Sequence, residues 1–184
     1  MRRLLRLIRR HWLITGAVCA VIVGLGLFTL VWFQPQKLII NKTVNEGLPG
    51  AVSSAAPSSA PITAQAEQPG ALVLLSQSAL FSRGHGTSGT ASIYRLPDGH
   101  RVLRLEHLRT SNGPDLRVRL SVQDAHAPND TIDDGTIDLG GLKGNRGNQN
   151  YMIPGGLDLT RYHAAIIWCR RFSYVFGAGA VHVG

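Results

Sequence analysis

Residues 91–108 read ASIYRLPDGHRVLRLEHL, and the fold is decided here. Two short runs rich in apolar and aromatic residues flank Pro97-Asp98-Gly99-His100, where Asp-Gly supplies the positive φ that a tight hairpin turn needs. The second run alternates: Leu103, Leu105 and His107 share one face, and the charges of Arg104 and Glu106 fall on the other. Further along, Leu116-Arg117-Val118-Arg119-Leu120 alternates more cleanly, with the aliphatic residues inward and two arginines outward.

Other short apolar runs, at 137–139, 150–153, 164–169, and 172–176 with 180–183, are separated by Gly, Pro, Asn and Asp. No stretch after residue 70 sustains helical periodicity. The spacing predicts an all-β domain over 71–184, a β-sandwich or barrel with one packed face and one wet face per strand.

The rest of the chain has a different character. Residues 1–11 form a basic head containing Arg2, Arg3, Arg6, Arg9 and Arg10, and residues 12–33 contain no charged residue and no histidine. As a helix, that run is about 33 Å long, enough for a bilayer core. Its length and the lack of a small-x-small site after it favour an uncleaved transmembrane signal anchor over a secretory leader. Basic residues before the span place the N-terminus in the cytoplasm and the C-terminal domain in the periplasm or outside the cell. Residues 34–49 read as a juxtamembrane collar. Residues 50–70 are an Ala/Ser/Pro-rich linker that cannot bury a core and reaches roughly 25 Å as a coil.

The net charge of +8, from 19 Lys+Arg against 11 Asp+Glu, sits largely in the head. Nucleic acid, which needs a basic face on the folded module, is therefore not an expected partner. Gly-x-Ser-x-Gly and a phosphate-cradling Gly-Lys-Ser/Thr loop are both missing from the sequence, which argues against a common hydrolase or nucleotide enzyme. Asp130, Asp133, Asp134 and Asp138 suggest calcium, but a loop begun at Asp130 has Ile132 and Gly141 where ligands belong. The histidines show no helical metal spacing, and neither haem nor metal is required by the sequence. His85, among glycines, is the one histidine singled out as a functional candidate.

The two cysteines are Cys19, within the apolar span, and Cys169. They lie too far apart in the organisation of the chain to be joined readily, so Cys169 is free, buried or bonded to another chain. It follows the apolar run Ala165-Ile166-Ile167-Trp168 and precedes Arg170 and Arg171, cations that favour thiolate when close to sulfur. The bland alternative is a structural cysteine in the core.

Several motifs carry a resemblance. HGTSGTASIYRLPDGHRVLRLEHLRTSNGPDLRVRLS is followed by DLGGLKGNRGNQNYMIP and AAIIWCRRFSYVFGAGAV, with Gly113-Pro114-Asp115, Lys143-Gly144, Gln149-x-Tyr151 and Trp168-Cys169-x-x-Phe172 in order. Residues 75–183 resemble the DM-thirteen domain, called the electron transfer DM-thirteen family, and Val44–Pro49 resembles the stretch after the anchor in its bacterial single-pass members. The resemblance implies a β-rich extracytoplasmic domain with a redox role through the cysteine matching Cys169. Companion electron-transfer modules are missing from this sequence, so the donor or acceptor is expected to be a separate partner protein. The competing expectation is a non-catalytic envelope binding or structural module in which Cys169 is inert and Arg104, Arg117 and Arg119 meet anionic envelope components. Gly113-Pro114-Asp115 reads as a turn whose aspartate accepts backbone N–H groups, and Trp168 and Phe172 read as core.

Overall fold

The computed structural model describes residues 2–33, 40–50 and 70–184, with side chains in the helix described at Trp12 and 14–28. Two compact units are present, Met1–Ile40 and Asn41–Gly184. The first consists of helix α1, Arg2–Phe33, whose described side chains are all exposed. Among the described residues no helix is long and apolar enough to cross a membrane. Of the span expected at 12–33, the side chains at 13 and 29–33 lie outside the described residues, as does most of the linker, 51–69.

The second unit is mostly β. Its strands are β1 (Thr43–Asn45), β2 (Val73–Ser82), β3 (Thr87–Arg95), β4 (Arg101–Thr110), β5 (Leu116–Ser121), β6 (Ile137–Gly141), β7 (Arg146–Ile153), β8 (Ala164–Cys169) and β9 (Tyr174–Ala180). They form one sheet in the order β1-β7-β4-β3-β2-β9-β8-β5-β6, curled into a half-barrel. The architecture is thus a single curled sheet, not two packed sheets. β2 makes the bend: it pairs with β3 over Val73–Leu80, and its last two residues pair with β9.

The 97–100 turn closes as expected, with Leu96 N donating to His100 O at 2.7 Å and Gly99 at φ +85. Leu103, Leu105, Val118, Leu120, Ile167 and Cys169 meet inside the curl. β8 is buried along its whole length. Its odd-numbered residues face this core, and Ala164, Ile166 and Trp168 face a second one with Ala125 and Ile132 from the 122–136 loop. A strand covered on both faces explains the unbroken apolar run AAIIWC.

Four local expectations are corrected. Strict alternation put His107 beside Leu105, yet a bulge between Leu105 and Leu108 gives His107 φ +49, exposes it and buries Leu108 instead. Opposite the bulge, Gly89 has φ +134, and a Cβ there would lie 2.7 Å from Glu106 O. A bulge inserts one residue and reverses the facing of those that follow. Phe172, expected in the core, is 66% exposed because it sits in the turn after β8. Arg104, expected outward and solvated, is buried under the collar, donating to Glu106 Oε1 at 2.8 Å, Asn150 Oδ1 at 2.8 Å and Glu46 O at 3.0 Å. Asp115 accepts from the Arg170 guanidinium (2.6 Å) instead of capping backbone N–H groups.

Two strands were not anticipated. β1 belongs to the collar and runs parallel to β7; Glu46 then pairs with Lys143 Nζ at 2.7 Å and accepts from Asn150 N at 2.8 Å. β2 carries Ser76, Gln77 and Ser78 at its centre, which broke the apolar pattern. Those hydroxyls serve the neighbouring chain: Ser78 Oγ donates to Ala180 O at 2.6 Å, and Ser76 Oγ accepts from His182 N at 3.0 Å.

Candidate functional site

Cys169 ends β8, opposite Leu116 on β5 and Tyr174 on β9. It has no exposed surface, and its Sγ donates to the Pro114 carbonyl at 3.1 Å. The cover over the sulfur is the turn Gly113-Pro114-Asp115. A Cβ on Gly113 would fall 2.7 Å from the Phe176 ring, so the turn rests directly on that aromatic. Asp115, at φ +59, fastens the turn twice: its carboxylate takes the Arg170 guanidinium and its carbonyl accepts from Arg170 N at 3.1 Å. Arg170, expected to activate the thiol, has its charge paired with Asp115.

His85 lies on the exposed loop between β2 and β3. Its ring packs on Phe176 with centroids 4.0 Å apart, and it meets Tyr174 edge-on at 6.0 Å. Gly84 makes room for Tyr174, whose ring would overlap any Cβ there. The two candidates therefore lie at the same end of the domain without touching, separated by Phe176 and the 113–115 turn. Among the described residues, no hydrogen bond joins them. Tyr174, Phe176 and the pairing of Asp115 with Arg170 were not read as parts of the site, although Asp115, Arg170, Tyr174 and Phe176 all fall within the motifs that carried the resemblance.

Those motifs otherwise serve architecture. Gln149 has no exposed surface. Its Oε1 accepts from Lys143 N, Gly144 N and the Tyr151 hydroxyl at 3.1, 3.1 and 2.8 Å, and its Nε2 donates to Gly144 O at 2.7 Å. Gln149-x-Tyr151 is thus the clamp that shapes the Lys143-Gly144 turn. Burial pushes the Tyr151 hydroxyl well above its usual pKa, so it stays a donor.

Of the acidic run, Asp138 receives the Arg117 guanidinium at 2.9 Å and Asp133 pairs with Arg119. The arginines expected to meet outside anions are neutralised within the domain. No three His, Cys, Asp or Glu side chains gather to hold a metal among the described residues.

A single curled sheet with one thiol sealed beneath a Gly-Pro-Asp turn defines a small β domain built around a cysteine. The chain belongs to the Electron transfer DM13 family, which it matches over residues 79–180. No match was found among the curated proteins or the solved structures.

Proposed function

We propose that this chain is a redox or electron-transfer domain held at the outer face of a membrane by residues 12–33, working through Cys169 with a separate partner protein. Family membership supports the redox class. The observation that carries the site is the sulfur's position, 3.1 Å from Pro114 O and beneath one clasped turn. Lifting that turn breaks the Asp115–Arg170 pair. The same movement uncovers the sulfur and frees a guanidinium one residue away, which favours thiolate. With Cys19 assigned to the membrane span, no second domain thiol exists to resolve a disulfide. A covalent cycle then runs through a mixed disulfide: Cys169 thiolate attacks one sulfur of a partner disulfide and the other leaves as thiolate. A thiolate of a separate thiol reductant attacks the Cys169 sulfur, releasing the second partner thiolate. A second reductant thiolate attacks the reductant sulfur of that new disulfide, freeing Cys169 thiolate and leaving the reductant oxidised as its own disulfide. His85, packed against Phe176, would mark the partner's landing point. No metal or haem is invoked.

A second reading has its own support. The complete burial of Cys169 within the main core suits an inert thiol in an envelope binding or structural module. The test is alkylation of the full chain carrying Cys19→Ala, so that Cys169 is the sole thiol. Redox function predicts reaction under native conditions at a rate raised several-fold by Asp115→Asn, which unfastens the turn and keeps the Arg170 cation, since an exposed pair of this type contributes about 0.2–1 kcal/mol to holding the turn closed. Reaction only at the denaturant midpoint, unchanged by Asp115→Asn, would establish the inert reading.

A further inference from the structure

The redox reading leaves unused a groove that neither Cys169 nor His85 lines. The groove is open to solvent and has a volume of about 510 Å³, within the range of small-ligand sites. Arg109 on β4 and Arg146 on β7 stand directly opposite each other in register, and Ser88 on β3 stands opposite Arg109. Strands lie about 4.8 Å apart, so the three side chains form one row across the sheet. Like charges placed directly opposite destabilise a sheet unless something neutralises them. Arg104, Arg117, Arg119 and Arg170 each have a carboxylate. Arg109 and Arg146 have none among the described residues, and no carboxylate lines their groove.

The surroundings are prepared for an acceptor-rich ligand. Beneath the arginines, the buried Thr110 hydroxyl is tied to Thr87 at 2.8 Å. The rim is set by Asn41, whose Oδ1 accepts from Asn145 at 2.7 Å and Asn112 at 3.2 Å, leaving its amide N–H groups for a ligand. Ser88 and Ser111 add hydroxyls. Two planar guanidinium forks with amide and hydroxyl donors, and no acid, suit a tetrahedral oxyanion.

We propose that the Arg109/Arg146 groove binds a phosphate group, carried by a soluble phosphate ester or by a lipid headgroup. The experiment titrates inorganic phosphate into the full chain in neutral detergent at constant ionic strength, following the Arg Nε–H resonances by NMR and Tm in parallel. Expected are saturable shifts at Arg109 and Arg146, a rise in Tm, and affinity weakened about tenfold or more in Arg109→Gln and Arg146→Gln, as for loss of a charge-assisted hydrogen bond. Arg161→Gln, away from the groove, should bind like the parent. Because each glutamine variant also relieves the repulsion, its own Tm without phosphate should not fall, which separates lost binding from lost folding. Saturation by glycerol phosphate assigns a soluble ester, and shifts seen only in micelles doped with phosphatidylglycerol assign a headgroup. Absence of saturable shifts with all three probes, or equal weakening in Arg161→Gln, overturns the proposal.

Discussion

The Cys169 thiol and the Pro114 carbonyl are hydrogen-bond partners 3.1 Å apart, although 55 residues separate them in sequence. This bond joins the end of β8 to the turn that starts β5, and it makes the cysteine part of the domain's scaffold as well as its candidate chemistry. Cys169→Ala removes both the donor and a small buried volume, and it should lower stability by about 1–2 kcal/mol. Cys169→Ser keeps a donor toward Pro114 and should lose less. Urea midpoints of the two variants, compared at equal slope, check the order.

The Gln149 clamp should prove more costly to remove than the thiol. Gln149→Ala leaves the Gly144 N–H and carbonyl and the Tyr151 hydroxyl without their buried partner, at about 1–3 kcal/mol for each unsatisfied group. Chemical denaturation should show a loss well above that of Cys169→Ala, with faster amide exchange at Lys143 and Gly144.

Acid should loosen the collar. Burial alone would raise the Glu46 pKa, but hydrogen bonds from Lys143 and Asn150 and the charges of Lys143 and Arg104 outweigh it and hold the carboxyl below its ordinary 4.5. A carboxyl with a depressed folded-state pKa adds stability above its unfolded pKa and loses it as pH falls through the folded one. Stability should therefore decline below about pH 4.5, and Glu46→Gln should flatten that decline while lowering stability at neutral pH. Asp138, lowered by Arg117 and Gly140 N–H despite burial, adds to the same acid limb, so a residual slope should persist in Glu46→Gln. Thermal melts between pH 3 and 7 measure both.

Gly89→Ala should be among the most damaging small substitutions. The residue sits at φ +134 against the β4 bulge, and an added methyl meets backbone, which cannot swing aside. A loss of about 1–3 kcal/mol is expected from strain of this kind. His107→Gly, at the partner position of the bulge, should be tolerated, since its φ of +49 suits glycine.

What the sequence determined follows from short-range physics. Asp98-Gly99 dictates the hairpin because few residues other than glycine accept its positive φ, and Leu116, Val118 and Leu120 reach the core because strand side chains alternate with period 2. The lone domain cysteine and the family motifs were likewise legible, since each is a local string. Tertiary structure decided what depends on distant partners. β2 was hidden because its central serines bond to the end of β9 and the residues just after it, and β1 because three residues carry too little pattern until β7 pairs with them. Arg104 turned inward because the collar covers it. The bulge that ejects His107 needs glycine on the neighbouring strand, and the Arg109/Arg146 pair exists only once β4 and β7 are in register. Alternation tells which face a side chain takes, whereas the neighbours supplied by the fold decide whether that face is wet, paired or sealed.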